Sequence, residues 1–287
     1  MQTTISKPIK FKEGDGFLHG FSTGFVKVKT AYKTAKGGAL SAKINLLMGK
    51  EWEDFMPIMV WLIDHPEGKF LIDTGENARV LEEDYFKAEG FVTNYINTSL
   101  FKFQITPEDE VGPHLARLGY EVKDLSQVIL THLHLDHIDG LSYFEGTDIL
   151  VHQLEWENPS FALPTLYPKW FDPRPISLNE KDNPAFSLAK SLVRSGEIQL
   201  VHTPGHTLGH CSVLVKGSEI DYLLAGDATY DQAQLTEEVH SAGHQDFKLC
   251  TQTYKGIKAY ASQNRLIYLP SHDPESLDRL AKDEYLK

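Results

Sequence analysis

Four apolar runs that each stop at a metal-ligating side chain constrain this chain more than any other feature. The first, Val128-Ile129-Leu130, leads directly into Thr131-His132-Leu133-His134-Leu135-Asp136-His137. A tight turn leaving a strand can aim His132 and His134 at one cation while Asp136 and His137 reach a second site beside it. Neutral imidazole combined with carboxylate suits zinc and other borderline divalent metals better than calcium or magnesium.

Three later segments repeat the pattern with one ligand each. The run Ile198 to His202 is broken by Thr203-Pro204-Gly205, a turn that presents His206. Tyr222 to Gly226 ends at Asp227, and Leu266 to Pro270 ends at Ser271-His272. Asp273-Pro274 then reads as the N-cap and first residue of a helix. In layered α/β proteins, metal and catalytic groups lie on loops at one edge of a rigid sheet, so four such strand ends are expected to meet at one edge.

In this order the ligands resemble the signature of the metallo-β-lactamase superfamily, a His-x-His-x-Asp-His loop followed by a distant His, Asp and His. The resemblance implies that His132, His134 and His206 hold one metal, that Asp136, His137 and His272 hold the other, and that Asp227 bridges them. It also covers the hairpin formed by Ile58 to Asp64 and Phe70 to Asp73, where Asp73-Thr74-Gly75 resembles a recurrent element supporting the metal loop. Asp73 then reads as the hydrogen-bond acceptor that fixes the tautomer of a ligand imidazole, with an Asx turn as the plainer alternative.

Composition restricts the remaining choices. A chain of 287 residues, 41% hydrophobic and 24% charged, can bury a substantial core as one domain over 1–287. It has no apolar stretch of transmembrane length and no apolar leader after Met1, so cytoplasm is the default expectation. A formal charge of −12 opposes nucleic-acid backbones and anionic membranes. The lysines between Lys27 and Lys43 read as solvated. Cys211 and Cys250 make no disulfide framework, occupy no ligand position of the signature and read as packing residues.

Strand runs with helices interposed suggest an α/β fold, and the resemblance specifies it as an αββα sandwich, two mixed sheets flanked by helices. Pro66-Glu67-Gly68-Lys69 and Lys216-Gly217-Ser218 read as hairpin turns. Helical patterns fall at Arg79–Lys87, His114–Leu118, Ala185–Arg194, about Cys250–Ala261 and Pro274–Leu286. Two segments look like additions. Residues 30–57, with Gly37-Gly38, Gly49 and little strand pattern, suit a mobile loop near the metal edge or a dimer arm. Residues 155–176 set Trp156, Phe161, Tyr167, Trp170 and Phe171 among prolines, which suits either an apolar wall for an acyl chain or a satellite core. A second aromatic series, Tyr85, Phe86, Phe91, Tyr95, Phe101 and Phe103, reads as ordinary packing.

Two cations sharing a carboxylate can hold a hydroxide between them near neutral pH, which makes hydrolysis the natural reaction. Zinc is the expected metal, with cobalt, manganese and iron as alternatives. Asp136 could also carry a proton from nucleophile to leaving oxygen. Tyr230, three residues past Asp227, resembles the tyrosine with which N-acyl homoserine lactonases of the superfamily contact their substrate. That resemblance implies a small acyl lactone as substrate, ring opening as the reaction (quorum quenching) and a possible homodimer. Thioesterases of the glyoxalase II type and phosphodiesterases are the alternatives. A bridging aspartate argues against β-lactam hydrolysis, and a binding protein without turnover would leave seven ligands and Tyr230 without purpose.

Overall fold

The computed structural model describes residues 4–35, 37, 39–179 and 185–287. Eight strands form the first sheet: β1 (Thr4–Phe11), β2 (Gly14–Val28), β3 (Met56–His65), β4 (Gly68–Ile72), β5 (Phe101–Gln104), β6 (Gln127–Leu130), β7 (Ile149–His152) and β8 (Arg174–Ile176). Their order is β1-β2-β3-β4-β6-β7-β8, with β5 also paired to β2. The second sheet orders β9 (Ala189–Ser191), β10 (Ile198–His202), β11 (Cys211–Lys216), β12 (Asp221–Gly226) and β13 (Leu266–Pro270) as β13-β12-β11-β10-β9. Both sheets are mixed: β4, β6, β7 and β8 run parallel, as do β12 and β13, while the other pairs are antiparallel.

Alternation along the strands explains why the sheets stack and why helices cover them. Met59, Trp61 and Ile63 of β3, Ile129 of β6, Val213 and Val215 of β11, and Ile267 and Leu269 of β13 meet in one core between the sheets. Their sequence neighbours point the other way. Val60, Leu62, Val128 and Leu130 form a second core with Val111 and Leu115. Leu214, Leu223 and Tyr268 form a third with Cys250, Tyr254 and Ile257. Strands buried on both faces read as continuous apolar runs, which is the pattern in the sequence. The expected αββα sandwich is therefore present.

The helices are α1 (Thr30–Lys33), α2 (Ala39–Met48), α3 (Phe91–Leu100), α4 (Val111–Leu118), α5 (Leu135–Ile138), α6 (Gln153–Glu157), α7 (Gln232–Glu237), α8 (Phe247–Ala261) and α9 (Ser276–Lys282). Helix α4 stops at Gly119, whose φ of 84° supplies the left-handed C-terminal turn. Helix α8 starts at Asp246, whose carboxylate accepts the Lys248 and Leu249 amides at 2.8 and 3.0 Å. Among the described residues no helix is long and apolar enough to cross a membrane.

Three sequence expectations are corrected. Residues 79–87 form 3-10 turns (Ala78–Leu81 and Lys87–Glu89) instead of an α-helix. The buried Val80 and Tyr85 are five residues apart, a spacing that one helical face cannot serve. Within 185–194 the chain enters β9, because the edge of β10 takes up Ala189–Ser191 as a partner. A short apolar run satisfies helix and strand periodicity alike, and the sheet edge decides. Residues 30–57 carry helices α1 and α2 in place of an irregular loop.

Candidate metal centre

The predicted ligands all lie just past the C-terminal ends of β6, β10, β12 and β13, which the topology brings to one edge of the sandwich. Backbone hydrogen bonds lock that edge across the two sheets: Cys211 N–H to Thr131 O at 3.0 Å and Met59 N–H to Ser271 O at 3.0 Å. Gly226, at φ 56°, makes the turn from β12 to Asp227; a Cβ there would lie 2.7 Å from His210 Nε2 and 3.1 Å from Thr131. Only glycine allows both the backbone conformation and the close approach.

Two clusters result. His206 Nε2 lies 3.2 Å from His132 Nε2 and 2.8 Å from His134 Nδ1. Beside them, Asp227 Oδ1 is 3.2 Å from His137 Nε2 and 3.3 Å from His272 Nε2, while Asp136 Oδ2 is 3.3 Å from His272 Nε2. Asp227 also faces the first cluster, with Oδ2 3.5 Å from His206 Nε2. All seven side chains singled out as ligands thus meet at one place. His132, His137, His206, Asp227 and His272 are buried, and the half-buried His134 and Asp136 form the rim.

The opposite ring nitrogens are mostly held. His137 Nδ1 is 2.7 Å from Asp73 Oδ2, His132 Nδ1 is 3.0 Å from Thr131 Oγ1, and His272 Nδ1 and His134 Nε2 each donate at 2.9 Å to the carbonyls of Pro57 and Ser160. Asp73 further accepts the Thr131 amide at 2.8 Å and its hydroxyl at 2.9 Å. This is the role read for it from the sequence, on a backbone held at φ 61°. His137 Nε2 and Asp227 Oδ1 are buried with no hydrogen-bond partner. Leaving such groups unpaired is costly, and imidazole nitrogens about 3 Å apart with oxygens beside them are spaced like the ligands of a shared cation. The residues present therefore fit divalent metal.

Charge divides the clusters. Burial, reinforced by the neighbouring imidazoles, holds His132 and His206 well below the ordinary imidazole range, and burial also lowers His134. Burial works in the same direction on His137 and His272, but the carboxylates overcome it: Asp227 chiefly raises His137 well above its usual value and lifts His272 to about 10. Burial would raise Asp227, yet the His272 and His137 cations hold it well below the carboxylate range.

Tyr230 is buried with its ring 5.3 Å from that of His272 and 6.2 Å from that of His206. Its ring stacks 6.2 Å from that of Tyr32 of α1, and burial first, then the Tyr32 and Asp227 charges, hold its hydroxyl well above the usual phenol range. Four functional neighbours were missed by sequence reasoning. Tyr32 arrives from the segment read as a loop. His210 accepts the Asp227 amide at 3.0 Å and so fixes the bridging position. Glu155 of α6 ties the two metal loops together, accepting the Leu133 amide at 3.1 Å and the Thr207 hydroxyl at 2.6 Å. His244 lies with its ring 5.6 Å from that of His206. Only His210 carried a signal, as the second imidazole in His206-Thr207-Leu208-Gly209-His210.

Of the aromatic insertion, Trp156, Tyr167, Trp170 and Phe171 pack on the outer core of the first sheet, which favours the satellite-core reading for them. Phe161 differs: it is 75% exposed and its ring is 6.3 Å from that of His134.

The family model for the metallo-β-lactamase superfamily matches residues 54–259, which hold six of the seven ligands, His272 lying beyond the match. The chain belongs to the metallo-β-lactamase superfamily. Within the superfamily it is similar to an N-acyl homoserine lactonase of a Bacillus species, 30% identical over 221 residues that cover 77% of this chain and 82% of the relative. It is 23% identical to the N-acyl homoserine lactonase AttM of Rhizobium radiobacter, covering 85% of this chain and 91% of that one. The fold matches the solved structure of an N-acyl homoserine lactone hydrolase with product N-hexanoyl-L-homoserine at its catalytic metal centre, with TM-score 0.73, 23% identity and coverage of 94% and 95%. It also matches AidC, a dizinc quorum-quenching lactonase, with TM-score 0.61, 17% identity and coverage of 96% and 92%.

Proposed function

We propose that this chain is a metal-dependent hydrolase that opens the lactone ring of N-acyl homoserine lactones. One divalent cation is assigned to His132, His134 and His206, a second to Asp136, His137 and His272, with Asp227 shared. The observation that carries the reading is this pair of clusters facing a common carboxylate with Tyr230 beside them. The lactonase relatives, similar along most of the chain, support the substrate class. When bound, the cations supply Lewis acidity toward the carbonyl and make water nucleophilic near neutral pH.

The chain's own groups do the rest. Water adds to the lactone carbonyl carbon, the ring C–O bond breaks, and the departing oxygen takes a proton. Asp136, the half-exposed carboxylate at the rim, is placed to carry that proton. Tyr230 stays protonated and donates a hydrogen bond to the carbonyl or to the departing ring oxygen, where negative charge develops. Exposed Phe161 beside His134 offers apolar surface to the acyl tail, which needs no strict length. Zinc is the proposed metal, a homodimer the proposed assembly, the cytoplasm the proposed location, and residues 1–287 one catalytic domain.

The test is proton release by metal-loaded protein on acyl homoserine lactones, thioesters, phosphodiesters and β-lactams. Lactones of several acyl lengths are expected to be opened fastest. Turnover of a thioester or phosphodiester with none of any lactone would overturn the reading.

A further inference from the structure

A third group of ligands lies behind the centre, outside the seven assigned above. His240, His244 and Cys250 each offer one ligand atom within 4.8 Å of the others. His244 and Cys250 are buried and His240 is half-buried. His240 Nδ1 and His244 Nε2 are both buried without a hydrogen-bond partner. The other nitrogens are engaged: His240 Nε2 is 3.2 Å from the Thr251 hydroxyl, and His244 Nδ1 accepts the Ser241 amide at 3.3 Å. Stacking on Phe247 and Tyr254, with ring centroids 4.8 and 5.5 Å away, orients the His240 ring. Two unsatisfied imidazole nitrogens beside a thiol are an expensive way to fill a core and a suitable set for a cation.

We propose that His240, His244 and Cys250 form a third metal site, for zinc or a cation of similar softness, that fastens the loop before α8 against the turn carrying His206. Two imidazoles and one thiolate match such a cation better than a hard one. Binding replaces the thiol proton, which is released to solvent. A formed site places its N and S ligands about 3.5 Å apart, so closure takes about 1 Å, which the half-exposed His240 ring can supply.

The consequence for the centre follows from what the loop touches. The Gln245 and Asp246 amides donate to the carbonyls of His206 and Gly205, each at 3.0 Å. Cys250 lies so close to Gly205 that a Cβ there would come within 2.4 Å of Sγ. The Ala242 amide and Ser241 hydroxyl hold the Tyr32 carbonyl at 2.8 Å, and the Ala35 amide donates to His240 O at 2.8 Å. A cation here would therefore pin both the His206 turn and the arm that carries Tyr32.

Cobalt provides the test, because none of the seven ligands of the main centre is a sulfur. Protein reconstituted with Co2+ and freed of loose metal is expected to show a thiolate-to-cobalt charge-transfer absorption and one metal equivalent more than Cys250→Ser. That variant should lose the absorption, and Cys211→Ser should keep it. His240→Gln changes only a half-exposed ring and is expected to weaken the extra equivalent at least tenfold, which decides the matter if Cys250→Ser does not fold. Wild-type protein without the absorption, or Cys250→Ser or His240→Gln with the extra equivalent still bound as in wild type, would overturn the site. None of these readouts depends on lactone turnover, so failure of the hydrolase reading would be seen separately.

Discussion

Replacing Asp73 by Asn alters the support of the metal loop while keeping its shape. The carboxylate takes three hydrogen bonds: from Thr131 N–H at 2.8 Å, from the Thr131 hydroxyl at 2.9 Å and from His137 Nδ1 at 2.7 Å. Asn retains an oxygen for the amide and presents an NH2 group where the other two arrive. The Thr131 hydroxyl can rotate and accept, but the imidazole cannot adapt without cost. Keeping its proton on Nδ1 sets donor against donor, at about 1–3 kcal/mol. Moving the proton to Nε2 blocks the nitrogen that faces Asp227. The backbone adds no penalty, since Asn tolerates the φ of 61° at this position. Metal affinity should therefore fall about 10- to 100-fold, or ~1.4–2.7 kcal/mol. Competition with a chromophoric chelator at neutral pH reads the loss directly. Asp73→Asn protein that retains both metals within twofold of wild type would refute the assignment of Asp73 as the group that sets the His137 tautomer.

Other substitutions separate ligands from their neighbours. Asp227→Asn should remove metal and turnover together, measured by metal analysis and proton release, because one oxygen faces each cluster. Tyr230→Phe should lower kcat by about 10- to 100-fold with metal content unchanged, as a lost charge-directed hydrogen bond does; wild-type kcat on every lactone would contradict its placement. Tyr32→Phe keeps the ring stacked on Tyr230, removes only its hydroxyl, and is expected to lower kcat less than Tyr230→Phe does, with KM and metal content nearly constant in steady-state assays. For chelator-treated protein, His272 is raised from 6.5 to about 10, so its stabilisation is complete below pH 6.5 and disappears as pH rises through about 10. At most ~5 kcal/mol is at stake. Urea unfolding at pH 6 and pH 10 should show the decline, and His272→Asn should flatten it.

How much of the molecule was legible depended on whether the signal was local. Apolar runs with both faces buried marked β3, β4, β6, β11, β12 and β13, and turn residues marked the hairpins between them. Helices α4 and α8 were readable because their stripes and terminal signals agree. The short apolar stretch at 185–194 was not, since it satisfies two periodicities and an edge of β10 chose between them. Residues 30–57 hid two helices behind a glycine-rich composition.

The sequence by itself determined the seven ligand types and their attachment to strand ends, because metal chemistry demands His and Asp and a strand must stop for a loop to present them. Tertiary structure alone decided what surrounds them. Tyr32, Glu155 and His244 reach the centre from segments remote in the chain, and sequence spacing carries no record of such contacts. The same holds for His240, His244 and Cys250, four to ten residues apart in an ordinary-looking stretch, whose meeting depends on how the loop folds back onto the start of α8. Local pattern fixes which groups a strand can offer, whereas only packing in three dimensions fixes which groups are left buried without partners.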